Sequence, residues 1–413
     1  AGSIYDSMNP IKYAIKYNAN YDSFRQLLHK IPELGYEEHE TKKQIFSFFT
    51  VFKNFKKAKI TEVGTTGFWV DLFGEAVQKE YSTKNKNKIL GIAFRTDMDG
   101  LPLKENTGKE YSSTKDSQMH ACGHDGHMAV VTCFMEYILE RLHLIPQNVM
   151  IRLIYQPAEE YGSGAQAMIK GGCMEGIDEI YGLHNITNFD LGKIGIIEGP
   201  IMSSADLFKI HIKGLGGHGS MPHSSKNPIT AGVAMIPLLN QIPSQRIDSK
   251  SRCTMSIGSF NSGKAGNVIP EETVITGTFR TLDKETRRSI WIAVEEIAEN
   301  ISKANGCSVK CEVEFDTLAT INDPDLTKGV VIPSIEKTGL QATQEGLPFM
   351  GSEDFSYFQE VTKGVFLFLG SGDDEHRHQI HSPYYDYNDK VTPLGVEIFV
   401  RIVEEKLGVS LIN

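Results

Sequence analysis

The chain has no apolar run long enough to cross a bilayer, which takes about 20 consecutive apolar residues. It also lacks a basic excess: 42 lysines and arginines stand against 52 acids, for a net charge of -10. With a pI near 5.8, it has no basic surface of the kind that meets nucleic-acid phosphates. Cysteine is sparse, at positions 122, 133, 173, 253, 307 and 311. Six in 413 residues is too few for a disulfide scaffold, and a reducing compartment is the simpler expectation. The opening AGSIYDSMNP has no charged-then-apolar leader pattern, so a cytoplasmic location is expected. A P-loop, an HExxH helix and a GxSxG nucleophile elbow are all missing. Residues 214–219, GLGGHG, satisfy GxGxxG. The following SMPH and Pro228 interrupt where a helix should open, and no acid lies at the distance a dinucleotide site needs.

What remains reads as a soluble protein of ordinary globular composition, 40% hydrophobic and 23% charged. Its length exceeds what one compact core usually takes, so two domains are the default. Residues 11–52 carry apolar positions at helical spacing, broken by Pro32 and Gly35. Strand-length apolar runs at 89–94, 149–155 and 179–182 alternate with helical patterns at 127–142 and 165–170. That alternation predicts an α/β domain: a mainly parallel sheet with helices on both faces. The polar stretch 81–88, YSTKNKNK, reads as a solvated hairpin tip. From residue 207 the rhythm becomes βαββαβ, the pattern of a ferredoxin-like α/β sandwich inserted into the host. The host sheet resumes with VFLFL at 365–369, and a helix at 393–407 closes the chain. The expected division is 1–204 and 317–413 for the catalytic domain and 205–316 for the insert.

In parallel sheets ligands bind beyond the carboxyl ends of the strands. Asp97 and Asp99, Glu159 and Glu160, and His184 each follow a predicted strand. Between them lies MHACGHDGH, residues 119–127. Cys122 and His124 there offer a thiolate and an imidazole, ligand types that suit zinc and its neighbours. A polar helix cap over a buried cysteine is the competing reading, and a structural zinc finger fails for want of a CxxC partner. The adjacent pair Glu159–Glu160 is read as extended, its side chains diverging so that one binds metal while the other faces a water. Metal-assisted hydrolysis needs that division. Of the HRHQIH histidines, His381 is the best placed as a ligand. His29, Glu33, Glu37 and Glu38 are read as an exposed charged loop.

These residues carry a family resemblance. AFRTDMDGLP, MHACGHDGHMA, YQPAEE, GLHN, IGIIEGPIMSSAD, GLGGHGSMPH, GNVIPEE, GTFRTL, MGSEDFSYF and HSPYYD follow the order found in one family. The chain resembles the dinuclear metallohydrolases that include aminoacylases, hippurate hydrolases and plant auxin-conjugate amidohydrolases. The resemblance implies two divalent metal ions (zinc, manganese, nickel or cobalt) held by Cys122, His124, Glu160, His184 and His381. It implies Glu159 as the general base and acid, with Asp99 supporting a ligand. It puts His218, Asn267 and Arg280, on the insert, at the substrate carbonyl and carboxylate, and makes the insert a lid and the seat of a homodimer. The equivalent of His218 in relatives can reach the partner's site. The activity implied is hydrolysis of N-acyl amino acids or similar conjugates. The alternatives are a small-peptide hydrolase, dipeptidase or carboxypeptidase, on the same site, and a metal-loaded binding protein without activity. The NITNF that follows His184 lacks the aromatic-proline pair common in relatives, and Gly219-Ser220 stands where they often carry alanines. The acyl group is therefore not legible.

Overall fold

The computed structural model describes residues 12–77 and 88–412, so all but the last residue of the polar stretch 81–88 lies outside the described residues. The chain divides into two compact units. The first comprises Ala1–Gly199, Asn322–Leu347 and Tyr357–Asn413; the second comprises Pro200–Ile321 and Pro348–Ser356. The segment 348–356, which the sequence assigns to the returning catalytic chain, thus groups with the second unit.

The first unit is built on an eight-stranded sheet. From edge to edge it runs Lys59–Val63, Gly67–Phe73, Val149–Gln156, Leu90–Asp97, Glu179–Asp190, Lys363–Gly372, Lys193–Gly195 and Gln341–Thr343. Its four central strands, from Val149–Gln156 to Lys363–Gly372, are mutually parallel. Leu90–Asp97 and Val149–Gln156 are buried at every position, as strands covered on both faces must be. Helix His124–Leu139 packs on Leu90–Asp97 and on helices Asn20–His29 and Val391–Leu407. It starts three residues earlier than the apolar pattern suggests. The chain enters it through Gly123 at φ 82, where an added Cβ would meet the Asn185 side chain at 2.0 Å. Glycine alone suits that turn.

Three parallel strands deliver polar residues to one edge of this sheet. Leu90–Asp97 ends two residues before Asp99, and Val149–Gln156 ends three before Glu159. The third strand does not stop before His184, as its sequence suggests, but runs on to Asp190. Its pairing with Leu90–Asp97 ceases at Gly182, while Lys363–Gly372 continues alongside. His184 therefore sits where the sheet opens on one side.

The second unit has a four-stranded antiparallel sheet in the order Cys253–Ser262, Glu272–Thr281, Ala205–Lys213, Ser308–Thr317. Alternate side chains of Ala205–Lys213 and Glu272–Thr281 are buried, the period-two signature of a half-covered sheet. Phe208, Ile210, Ile212, Ile275 and Phe279 join Met235 of helix Pro228–Asn240 and Ile290 and Val294 of helix Lys284–Ala304 in one core. Asp283 caps that last helix by accepting the Thr286 N–H at 2.7 Å, which fixes its start. Residues 217–218 turn back to pair with 268–269, setting His218 opposite Val268.

Candidate metal centre

Two overlapping groups of ligand-type side chains meet in the first unit. Ligand atoms of Asp97, His124, His127 and His184 lie within 4.8 Å of one another, and so do those of Cys122, Glu160 and His381. His124, Glu159 and Glu160 form a third such group that joins them, and Cys122 Sγ lies 3.3 Å from His184 Nε2. All five expected ligands thus converge from segments between residue 122 and residue 381.

Hydrogen bonds settle which ring nitrogens are available. The Nδ1–H of His184 donates to the carbonyl of Asn185 at 2.6 Å, which leaves Nε2 with its lone pair facing Cys122. His127 is fully engaged: Nε2 accepts the Asn185 N–H at 3.0 Å. Its proton is then on Nδ1, bonded to Asp97 Oδ1 at 2.8 Å. This histidine orients Asp97 and has no lone pair left for a cation. Both ring nitrogens of His124 are buried without a hydrogen-bond partner, and so is Glu160 Oε1. Carboxylate oxygens surround the ring without the alignment of a hydrogen bond: Asp99 Oδ1 at 3.3 Å from Nδ1, and Asp97 Oδ2 at 3.3 Å and Glu160 Oε1 at 3.6 Å from Nε2. Native proteins rarely orphan buried polar atoms in this way.

The electrostatics have the same gap. Burial pushes the Cys122 thiol well above its usual range, and Glu160, Glu159 and Asp97 push it further. Burial opposes protonation of His124, but Asp97, Asp99 and Glu160 outweigh it and lift the ring to about 10. Burial, reinforced by His127, drives His184 well down and keeps it neutral. The raised His124 ring and the raised Cys122 thiol both report an excess of negative charge from the crowded carboxylates. A divalent cation bound there would balance it while displacing the ring proton and deprotonating the thiol. The nitrogen, sulfur and oxygen donors fit zinc and neighbouring metals.

Glu159 and Glu160 do not diverge along an extended segment. They lie in a turn entered through Ala158 at φ 51, and Glu159 Oε2 and Glu160 Oε1 approach His124 Nε2 at 3.8 and 3.6 Å. Asp99 fixes this turn, accepting the N–H of Glu159 and of Glu160, each at 3.0 Å. His381 also has a left-handed backbone, φ 66, and its N–H bonds to Ala121 O at 2.7 Å. That turn carries Nε2 to 3.3 Å from Glu160 Oε1. His376 is taken up by Asp373.

The exposed loop expected around residues 29–38 is not exposed: His29, Glu33 and Glu38 are buried, and only Glu37 faces solvent. Glu33 accepts the N–H groups of Glu40 and Thr41 at 3.1 and 2.6 Å and caps helix His39–Phe49. His29 bridges Asp125 and Glu105, both at 2.8 Å, and Arg25 pairs with Asp125 and Asp389. This network grips the first turn of the helix that begins at His124. Sequence reading placed Asp97 at this sheet edge without a role, and it missed His127 as a member of the cluster. The HDGH spacing places His127 three residues after His124, on one helix face, and was the available signal.

A model of peptidase family M20/M25/M40 matches residues 93–405. The chain belongs to that family. It is 32% identical to hippurate hydrolase of Campylobacter jejuni over 96% of this chain and 98% of the relative. To N-acetyl-L-cysteine deacetylase of Bacillus subtilis it is 33% identical, over 88% of this chain and 83% of that one. The crystal structure of a dinuclear metal-binding peptidase of the M20 family from Bacillus subtilis superposes with a TM-score of 0.78, at 27% identity, covering 93% of this chain and 97% of that one. This M20 chain is a metallohydrolase, and the side-chain cluster described above is the group of its residues that could hold metal ions.

In the second unit of this M20 chain, His218 and Asn267 come together: Gly219 N–H bonds to Asn267 O at 2.8 Å. His218 Nδ1 lies 3.1 Å from Ser220 N and 2.7 Å from its hydroxyl. The backbone N–H donates, so the neutral ring carries its proton on Nε2 as an outward donor. Arg280 is not with them. It sits at the far end of Glu272–Thr281, half-buried, its guanidinium 3.4 Å from Met350 O, and His218 is at the Glu272 end. The eight residue-to-residue steps from Glu272 to Arg280 span about 27 Å at 3.4 Å each. Both cannot close on one small substrate from a single copy. No described helix is long and apolar enough to cross a membrane, and the six cysteines are unpaired.

Proposed function

We propose that this M20 hydrolase cleaves the amide bond of N-acyl amino acids or amino-acid conjugates with two divalent cations. The observation carrying this reading is the overlap of two ligand groups beside a carboxylate, Glu159, that shares the turn of Glu160. Cys122, His124, Glu160, His184 and His381 would hold the pair, with zinc, manganese, nickel and cobalt as candidates. Bound there, such ions acidify water and polarise a carbonyl.

The chain's own groups do the rest. Glu159 accepts the proton of the attacking water and returns it to the leaving amine. Asp99, bonded to two consecutive N–H groups of the turn and facing His124 Nδ1, holds base and ligand in register. His218 donates from Nε2 to the carbonyl oxygen as it gains charge, beside Asn267. Arg280 grips the free carboxylate through two N–H groups. We read the smaller unit as a ferredoxin-like lid and dimerisation element. Because a strand separates His218 from Arg280, His218 and Asn267 of one copy serve the centre of the other.

The test strips the purified protein of metal, reloads each ion, and compares hippurate-like acyl amino acids with free-amino dipeptides. Turnover of the acyl compounds is expected. Preference for dipeptides would move the assignment to the small-peptide hydrolases, and no turnover by any loaded form would overturn it.

A further inference from the structure

We propose that Glu38 is a positioning residue for the reaction, holding Ala158 so that the Glu159 carboxylate is correctly aimed. The inference rests on Glu159 being the base. Ala158 is one of four described non-glycine residues with a left-handed backbone, a conformation that persists only when the surroundings over-determine it. Here the determinants are visible. Three successive amides, those of residues 158, 159 and 160, are each taken by a buried carboxylate. Glu38 accepts the Ala158 N–H at 2.9 Å, and Asp99 accepts the next two at 3.0 Å. Left-handed turns present successive N–H groups to an anion, and in this one the anions are the protein's own side chains.

Glu38 is also held from behind. Its second oxygen accepts the Thr66 hydroxyl at 2.8 Å, and its side chain has no solvent exposure. The connection that carries it is moulded to the turn: a Cβ on Gly35 would lie 2.8 Å from Ala158 Cβ and 2.7 Å from the Tyr161 ring. A buried carboxylate is costly to desolvate, and it persists only where donors such as these satisfy it. Burial and nearby Asp99 push this carboxyl up to about 7, so the site carries a cost. What the carboxylate provides, and an apolar group does not, is an acceptor for the amide preceding the catalytic pair.

Glu38→Met keeps most of the volume and removes both acceptors, so the Ala158 N–H loses its partner. Glu38→Gln is the conservative control, because its Oε1 can still accept from Ala158 while its amide donates to the Thr66 hydroxyl. Thr66→Val removes only the rear support. The expected result for Glu38→Met is a kcat lower by about 10- to 100-fold, the scale of a slightly misplaced reacting group. KM and metal content should be unchanged, and the melting temperature should fall only by the small amount that one lost buried hydrogen bond costs. Glu38→Gln and Thr66→Val should lie between wild type and Glu38→Met. Hydrogen exchange of the 157–162 segment should speed up in Glu38→Met whether or not the assay substrate is right. Wild-type kcat in Glu38→Met, unchanged exchange, or a loss of kcat matched by lost metal or lost fold would each overturn the proposal. If wild type turns over no acyl amino acid yet exchange responds, the functional reading fails and the pinning of Ala158 stands.

Discussion

The separation of His218 from Arg280 makes a quantitative prediction about subunit mixtures. His218 is fixed at the Glu272 end of its sheet by the pairing of residues 217–218 with 268–269. Arg280 lies opposite Thr254 near the other end. If both touch substrate, each centre takes Arg280 from one chain and His218 from the other. Loss of an oxyanion donor costs about 10²- to 10³-fold in kcat, so His218→Ala alone should be nearly inactive. Arg280→Ala alone should be poor for want of its carboxylate grip.

Co-expressed, the two variants assort at random, and half of the dimers are mixed. Each mixed dimer has one centre with both residues intact and one centre lacking both. The mixture should therefore recover about a quarter of wild-type kcat per protomer, as a two-fold dimer requires, with a wild-type KM. The assay is turnover by mixed dimers isolated through two affinity tags, where one centre in two should work. If both residues served the same chain's centre, no intact centre would exist in any mixture. Activity no higher than the mean of the single variants, in verified mixed dimers, would refute the strand-length argument.

Other perturbations read individual groups. Glu159→Gln should cost about 10²- to 10⁴-fold in kcat while elemental analysis still finds bound metal; near-normal turnover rules out the base. Cys122→Ser should weaken metal binding, because a hydroxyl is a far poorer ligand than the thiolate, and titration calorimetry of stripped protein would show it. Unchanged affinity would remove Cys122 from the ligand set. Burial opposes protonation of His29, but Asp125 and Glu105 outweigh it and lift its pKa from 6.5 to about 9. A raised folded-state pKa adds stability that is complete below pH 6.5 and lost as pH rises through about 9. The shift corresponds to about 3 kcal/mol. Denaturant midpoints measured from pH 6 to 10 should fall for wild type, and should fall less for His29→Gln; parallel curves would refute the coupling.

The scaffold was legible because its signals are local, and the site was legible only in part because some of its partners are not. ILGIAF and VMIRLIY announce buried strands through their own composition, and the acids that follow inherit a position from the sheet. No such signal attends Glu33 and Glu38. A charged residue in a segment with Pro32 and Gly35 belongs in solvent on every local criterion, and both are buried because backbone amides far along the chain or in the next helix donate to them. His124 was misplaced outside its helix for a related reason: an imidazole and Asp125 open a helix whose interior is otherwise apolar, and only the Arg25–His29 network makes that start tolerable. His218 and Arg280 raise a different question. The resemblance supplied their roles, and the strand between them, visible as a ten-residue alternating pattern, sets how far apart one copy holds them. Where chemistry depends on a buried charge, then, the deciding quantity is the identity of the group that meets it, and that is a property of the fold. Where it depends on reach, the sequence already contains the ruler.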